Sequence, residues 1–428
     1  MNEFGRTIAY LYGLQGRGMK FGLSNIRALL KSAGNPERSF RSIHVAGTNG
    51  KGSTCSFLAS VFMEAGYKTG LYTSPHLVRF TERIRIDGRE ISDRRLVRYV
   101  EAIRPAVESR HATFFEATTC VAFQYFADEA VDIAIIETGL GGRLDSTNVL
   151  IPLASVITNI SLDHTEYLGS TISAIAGEKG GIIKSRVPVV VGTMEETAER
   201  RILRIAGRKR APVIRAADTV RVIPARAGRS SFVTDRVRTG PVRPGLSGAH
   251  QTLNAGLAVA CLSGLMRSKA FRSRFPWIRN RSIRDGIRNV QQNTRLGGRL
   301  AVAGHGRRVI LDVAHNPAGM RATISSLLQK GAGHLTVVFG VMKDKDMVPM
   351  LREIGRLAGT VVAVQPRTHR ARPAESVTRA ARRLGIPSDP AGSVAAGIRK
   401  ALRRRGTILV TGSHYVVGEA LEYLKKNT

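Results

Sequence analysis

The stretch "IHVAGTNGKGST", Ile43 to Thr54, decides how this chain is read. An apolar run that favours a strand, Ile43 to Ala46, gives way to a turn with Gly47, Gly50 and Gly52 around the single cation Lys51. The hydroxyl residues Ser53 and Thr54 follow. A strand, a glycine turn and a helix in that order aim backbone N–H groups and a helix start at one point, which suits a phosphate. The spacing departs from the usual G-x-x-x-x-G-K-[ST] loop. Val45 stands where its first glycine belongs, and Gly52 separates Lys51 from Ser53. The candidate cradle is Gly47, Thr48, Asn49, Gly50, Lys51, Gly52, Ser53 and Thr54. In it Lys51 supplies a mobile charge, and Ser53 or Thr54 a hydroxyl for Mg²⁺.

Working outward, short apolar runs alternate with helix-period segments, the pattern of parallel sheets with crossover helices. Strands are predicted at "SIHVAG", "GLYTS", Val131–Glu137, "ASVITNI" and "VPVVVG". Helices are predicted at Ser53–Ala65, Phe115–Ala130 and Thr171–Ile183. Arg200–Gly248 loses this rhythm and reads as short antiparallel strands appended to the first sheet. A second α/β unit carries strands at "RVILDVA", "LTVVFG", "TVVAVQ" and "TILVTGS", with helices after Asn316 and at the C-terminus. The glycine-rich turn "TRLGGR", Thr294–Arg299, is the expected linker. The predicted domains are therefore 1–295 and 296–428.

The chain has 428 residues, 43% of them hydrophobic, enough for more than one core. No run reaches the ~20 apolar residues of a membrane span, and no secretory leader pattern is present. Cys55, Cys120 and Cys261 form no C-x-x-C and read as reduced, buried thiols. A cytoplasmic protein is expected. The net charge of +34 favours anionic partners. Between Arg200 and Arg243 lie twelve Arg and one Lys against two Asp. No aromatic-interleaved basic strip of the kind that binds single-stranded nucleic acid occurs.

Polar clusters fall at the predicted C-terminal strand ends, where open α/β sheets bind ligands. "IIETGLGGRLDSTN" carries Glu137, Arg143 and Asp145. "ITNISLDHTEYLG" carries Asp163 and His164, "GEKGGIIK" carries Lys179, and "LDVAHNPAG" carries Asp312, His315 and Asn316. One by one these also read as a loop-capping acid, a structural histidine and a solvated lysine.

Their order is more telling than any one of them. "HVAGTNGKGS", "TSPHL", "GLGGRLDSTN", "ITNISLDHTEYLG", "EKGGIIK", "HQTLNA" and "DVAHNP" succeed one another. With the upstream "RGMKFGLSNIRALL", the chain resembles the folylpolyglutamate synthase/dihydrofolate synthase family of the Mur ligase superfamily. The resemblance implies a P-loop-containing, Mur-ligase-like ATPase domain followed by a smaller Rossmann-like α/β domain. It implies an ATP-dependent amide ligase that turns a substrate carboxylate into an acyl phosphate, which the amine of L-glutamate then attacks. The acceptor would be dihydropteroate, a reduced folate, or both. By the same resemblance Ser53, Glu137 and His164 arrange Mg²⁺, Lys179 is carbamylated, and Asn254, Arg299, Asp312 and His315 hold ATP. Lys51, Lys179, His164 and Asp312 are the expected catalytic set, and Phe115 and Asp145 lie near the pterin. A monomer that needs neither nucleic acid nor membrane is expected.

The sequence departs from the family at "GEKGG", where "REKAG" is more typical. Each Gly lowers helix propensity by about 1 kcal/mol relative to Ala, so a locally loose helix is expected there. Two other readings compete. A cell-wall Mur ligase would need a further N-terminal domain, and only some 45 residues precede the glycine turn. A nucleotide-dependent nucleic-acid binder would account for the charge but not for the motifs.

Overall fold

The computed structural model describes residues 2–18, 22–303 and 309–427. Met19, Lys20 and Phe21 of the N-terminal motif, and Arg308 of the predicted "RVILDVA" strand, lie outside the described residues. The chain divides into two compact units. The first comprises Met1–His76, Phe80–Gly245 and Leu253–Arg295; the second comprises Leu77–Arg79, Leu246–Thr252 and Leu296–Thr428.

The first unit is built on eight strands: β1 (Arg41–Ala46), β2 (Thr69–Tyr72), β3 (Ile84–Ile86), β4 (Arg89–Glu90), β5 (Ile133–Glu137), β6 (Ala154–Ile157), β7 (Val189–Val191) and β8 (Val213–Arg215). Their order is β4-β3-β2-β5-β1-β6-β7-β8. All pairs from β2 to β8 across this sheet are parallel; β3 and β4 add an antiparallel edge. β5 and β6 are largely apolar and buried along their whole length, and β1 is buried from Ser42 onward, as a sheet covered on both faces requires. Val45 stands opposite Glu137 on one side and Val156 on the other, so the C-terminal ends of β5, β1 and β6 are level. The chain runs outward on one side of β1 and then on the other, and that switch point lies where the glycine turn begins.

The helix after the turn starts at Lys51 and ends at Glu64, two residues earlier than predicted at its start. Gly50, at φ +81°, serves as its N-cap, a conformation L-residues with a Cβ avoid. Every residue from Gly52 to Phe62 is buried, so this stretch of the helix has no solvent face. It lies against the Asn280–Thr294 helix, where Ser60 Oγ donates to Gly286 O at 2.8 Å.

Arg200–Gly248 is not a set of strands appended to the first sheet. Glu196–Arg208 is a helix whose Ala198, Ile202 and Ala206 are buried at helical spacing, and β8 joins the sheet in parallel. The antiparallel part is a separate hairpin of β9 (Arg221–Ala225) and β10 (Arg229–Val233), with its own two-stranded sheet.

The second unit holds β11 (Ala301–Ala303), β12 (Val309–Leu311), β13 (Leu335–Phe339), β14 (Ala358–Val364), β15 (Ser388–Ala391) and β16 (Ile408–Thr411), ordered β11-β12-β16-β13-β14-β15. Among the described residues of this sheet only β11 runs antiparallel to its neighbour. Two apolar clusters cover the sheet's faces. The cysteines are buried and unbridged, and no described helix is long and apolar enough to cross a membrane.

Candidate functional site

The glycine turn is held in shape by "ITNIS". Thr158 Oγ1 and Asn159 Nδ2 donate to Asn49 O at 2.6 and 2.9 Å. Asn159 Oδ1 accepts from Asn49 N at 3.0 Å, and Ser161 N donates to Thr48 Oγ1 at 3.0 Å. Gly47, at φ +151°, is pressed so closely on Thr158 that a Cβ would stand 1.8 Å from Thr158 Oγ1. A Cβ on Gly50 would stand 2.4 Å from Asn254 Oδ1, which brings Asn254 of "HQTLNA" to the turn. Thr158, Asn159 and Ser161 were not singled out in the sequence. The signal was a hydroxyl-and-amide run one strand over from the turn.

Two cations meet on one carbonyl. Lys51 Nζ donates to Gly47 O at 3.2 Å and to Thr48 O at 3.3 Å. Lys179 is buried, and its Nζ donates to the same Gly47 O at 2.9 Å. Glu137 is buried at the end of β5 and accepts from Ser74 N of "TSPHL" at 3.1 Å. Burial and the Glu137 charge push the Cys55 thiol well up, so that buried residue is a neutral thiol. Ser53 and Thr54 are both buried, and Thr54 Oγ1 has no hydrogen-bond partner among the described residues.

His164 sits just past β6 at φ +51°, with its backbone N–H on Asp163 Oδ1 at 2.9 Å. The short helix that follows, Thr165–Leu168, packs on the glycine loop after β5: a Cβ on Gly141 would stand 2.9 Å from Leu168 Cδ2. Gly139 lies against the Phe115 ring, and Gly142 against the end of the Lys179 helix. Arg143 N donates to Glu178 O at 2.7 Å, and its guanidinium reaches Glu178 Oε1 at 2.8 Å. The glycine loop thus gathers Phe115, the His164 loop and Lys179 around β5.

Asp145 is buried and shapes this loop. Oδ2 accepts from Leu140 N at 2.8 Å, while Oδ1 accepts from Thr147 N at 3.0 Å and Thr147 Oγ1 at 2.5 Å. Burial raises its pKa, and these donors oppose the rise. His44 Nε2 lies 2.7 Å from Thr147 Oγ1.

The loop carrying Ser74 has its own support. Arg83 Nε donates to His76 Nδ1 at 2.9 Å, which leaves the proton on Nε2, 3.1 Å from Tyr12 Oη. Burial and the Arg83 charge lower the His76 pKa to about 4. The imidazole is neutral at pH 7.

The second unit holds Arg299, Asp312 and His315. Asp312 is buried; Oδ1 accepts from Ala314 N at 3.0 Å and Thr323 Oγ1 at 2.8 Å, and Oδ2 from Leu300 N at 3.0 Å. His315 Nδ1 lies 2.9 Å from Val313 O, and its ring lies 5.4 Å from that of His414. Arg299 Nη1 donates to Gly298 O at 3.3 Å.

Among the described residues no three His, Cys, Asp or Glu side chains gather as a metal cage. The buried carboxylate of Glu137 is the donor type that suits Mg²⁺, which takes one or two carboxylates and fills its octahedron with water and substrate phosphates.

The two-unit α/β fold recurs in known proteins. Residues 45–262 match the Mur ligase middle domain and 298–414 the Mur ligase glutamate ligase domain. A Bacillus subtilis dihydrofolate synthase/folylpolyglutamate synthase is 36% identical over 82% of this chain and 83% of its own. The structure of E. coli FolC in complex with DHPP and ADP superposes with a TM-score of 0.87 at 29% identity, over 98% of both chains. A Yersinia pestis bifunctional folylpolyglutamate synthase/dihydrofolate synthase complexed with AMPPNP and Mn gives 0.85 at 27% identity, over 99% and 98%. These relatives favour the folate reading over the cell-wall and nucleic-acid ones. The chain belongs to the dihydrofolate synthase/folylpolyglutamate synthase family of Mur ligases.

Proposed function

We propose that this chain is an ATP-dependent ligase that joins L-glutamate to dihydropteroate and extends the glutamate tail of folates. The observation that carries the reading is the meeting of Lys51 and Lys179 on Gly47 O, at the mouth of a glycine turn beside buried Glu137. A carboxylate is a poor electrophile until one oxygen becomes a phosphate leaving group, and phosphoryl transfer needs positioning and charge neutralisation more than covalent help. The turn's backbone N–H groups and Lys51 would hold the ATP phosphates. Mg²⁺, when bound through Glu137, His164 and Ser53, would neutralise charge on the transferred phosphoryl group. Ser74, tied to Glu137, is a further residue beside that position. Asn254, Arg299, Asp312 and His315 are the proposed contacts to the rest of the nucleotide, and Phe115 and Asp145 those near the pterin.

Lys179 is the proposed carbamylation site. Its amine adds CO₂ and loses a proton, becoming an anionic carbamate. Two ammonium groups on one carbonyl repel each other, and carbamylation replaces one of them with a partner for Lys51. We predict that Lys179→Ala lowers turnover by about 10² or more and that formate or acetate partly restores it. A variant that stays active and indifferent to added acid would remove the carbamate from the mechanism. The reaction itself is tested by ADP release with ATP, Mg²⁺ and glutamate, offering dihydropteroate and tetrahydrofolate separately. Release with neither acceptor ends the ligase reading.

A further inference from the structure

The hairpin of β9 and β10 carries more cationic charge than the fold uses. Its inner side chains, Val222, Phe232 and Ser230, alternate with outer ones, and Val222 and Phe232 pack on the helix at Gly256. A third segment extends the sheet through the antiparallel bridges Val233↔Arg238 and Ser230↔Val242. Arg221 and Arg238 therefore flank Val233 on the outer face. Arg229 and Arg243 are the next residues past the second bridge, one on each segment, and by strand alternation belong to that same face. All four are exposed, and none has a carboxylate partner among the described residues. The two acids that flank the hairpin are engaged elsewhere: Asp218 by Arg215, and Asp235 by Arg236, Arg267 and Ser263. Four exposed cations on one face with no carboxylate partner among the described residues make a positive field that attracts an anion from outside the fold.

We propose that this four-arginine face binds the oligo-γ-glutamyl tail of the folate acceptor. The inference rests on the ligase reading above and names a second contact for its substrate. Each γ-linked residue of such a tail leaves one free carboxylate, so the tail is a flexible polyanion with a charge at every step. Guanidinium forks match carboxylates in a bidentate way. The outer face has no aromatic side chain, so it lacks the stacking platform of a single-strand binder. The inner face is anchored on a helix, so the arginines are presented from a fixed sheet.

The test compares the wild type with a variant combining Arg221→Gln, Arg229→Gln, Arg238→Gln and Arg243→Gln, and with a second variant that places Lys at the same four positions. A fluorescent penta-γ-glutamyl peptide is titrated by anisotropy at low and raised salt. Binding to the wild type is expected to be salt-dependent, to weaken about tenfold or more in the Gln variant, and to survive largely in the Lys variant. KM for a pentaglutamyl folate should rise in the Gln variant while kcat and KM for the monoglutamate stay level. Equal peptide affinity in wild type and Gln variant overturns the proposal. So does a duplex oligonucleotide of equal charge that binds these arginines in preference to the peptide. Peptide binding is read without turnover, so failure of ligation with every folate acceptor refutes the ligase reading separately.

Discussion

His44 lies in the middle of β1, fully buried, three residues before the glycine turn. Burial lowers its pKa to about 3, with the Lys184 charge as a lesser cause. Thr147 Oγ1 donates to Asp145, so His44 Nε2 donates to Thr147, and Nδ1 is buried without a partner among the described residues. The native state therefore keeps His44 neutral down to about pH 3, whereas the unfolded chain protonates it near pH ~6.5. Between those values the unfolded state binds the extra proton, so stability falls as the pH drops, by up to about 1.4 kcal/mol per pH unit from this group. His44→Gln keeps an N–H donor and removes the proton uptake. Its urea-unfolding free energy, measured from pH 7 to pH 4, should fall less steeply than the wild type's by about one proton. Parallel slopes would mean that His44 is not buried neutral. Residue roles of this kind were only partly legible. Glu137 stood out as an acid ending an apolar strand. His44 looked like any strand histidine, and Asp145, expected near the pterin, gave no sign of its part in shaping the loop, because hydrogen bonds to Thr147 and Leu140 leave no mark on spacing.

At the scale of elements, the strand–turn–helix units were legible because β1, β5 and β6 are short apolar runs bounded by glycine and polar turns. The Glu196–Arg208 helix was lost although its apolar positions recur at helical spacing; the arginines between them masked the period. The glycines of "GEKGG" were read as loosening a helix, and the structure gives them another use. The Lys179 helix, Ile172–Gly180, lies close on the Glu196–Arg208 helix. A Cβ on Gly180 would stand 2.7 Å from Ile205 Cδ1 and 3.1 Å from Ile202 Cδ1, and one on Gly177 3.3 Å from the Arg201 guanidinium. Propensity alone makes Gly180→Ala stabilising by about 1 kcal/mol. Contact outweighs it here, since overpacking costs ~1–3 kcal/mol. Gly180→Ala should be destabilising by about 1 kcal/mol net, and Ile205→Ala should restore part of that loss when combined with it. A double-mutant cycle in urea with no coupling between the two sites would show that the helices are not in contact there.

Across the whole molecule, the second unit borrows from the first half of the sequence. The motif "TSPHL" is divided: His76 belongs to the first unit, while Leu77–Arg79 belong to the second. Leu77 packs into the apolar cluster formed by Val313, Val410, Val416 and Val417. A Cβ on Gly418 would stand 2.0 Å from Leu77 O, and one on Gly298 3.4 Å from Leu77 Cδ1. Such an insertion of three residues has no composition or period of its own, so nothing in the sequence marks it; only the linker-like "TRLGGR" announces the second unit. It has a thermodynamic consequence. Leu77 lies between β2 and β3 in the chain, yet its side chain is part of the second unit's core. Leu77→Ala removes a half-buried side chain and leaves a void beside β12 and β16, at a cost of about 2 kcal/mol. That loss should appear as faster amide hydrogen exchange in β12, β16 and the His414–Lys426 helix, with β1 and β5 protected as before. Exchange that quickens in β1 and β5 instead would place Leu77 in the first unit's core and undo this division of the chain.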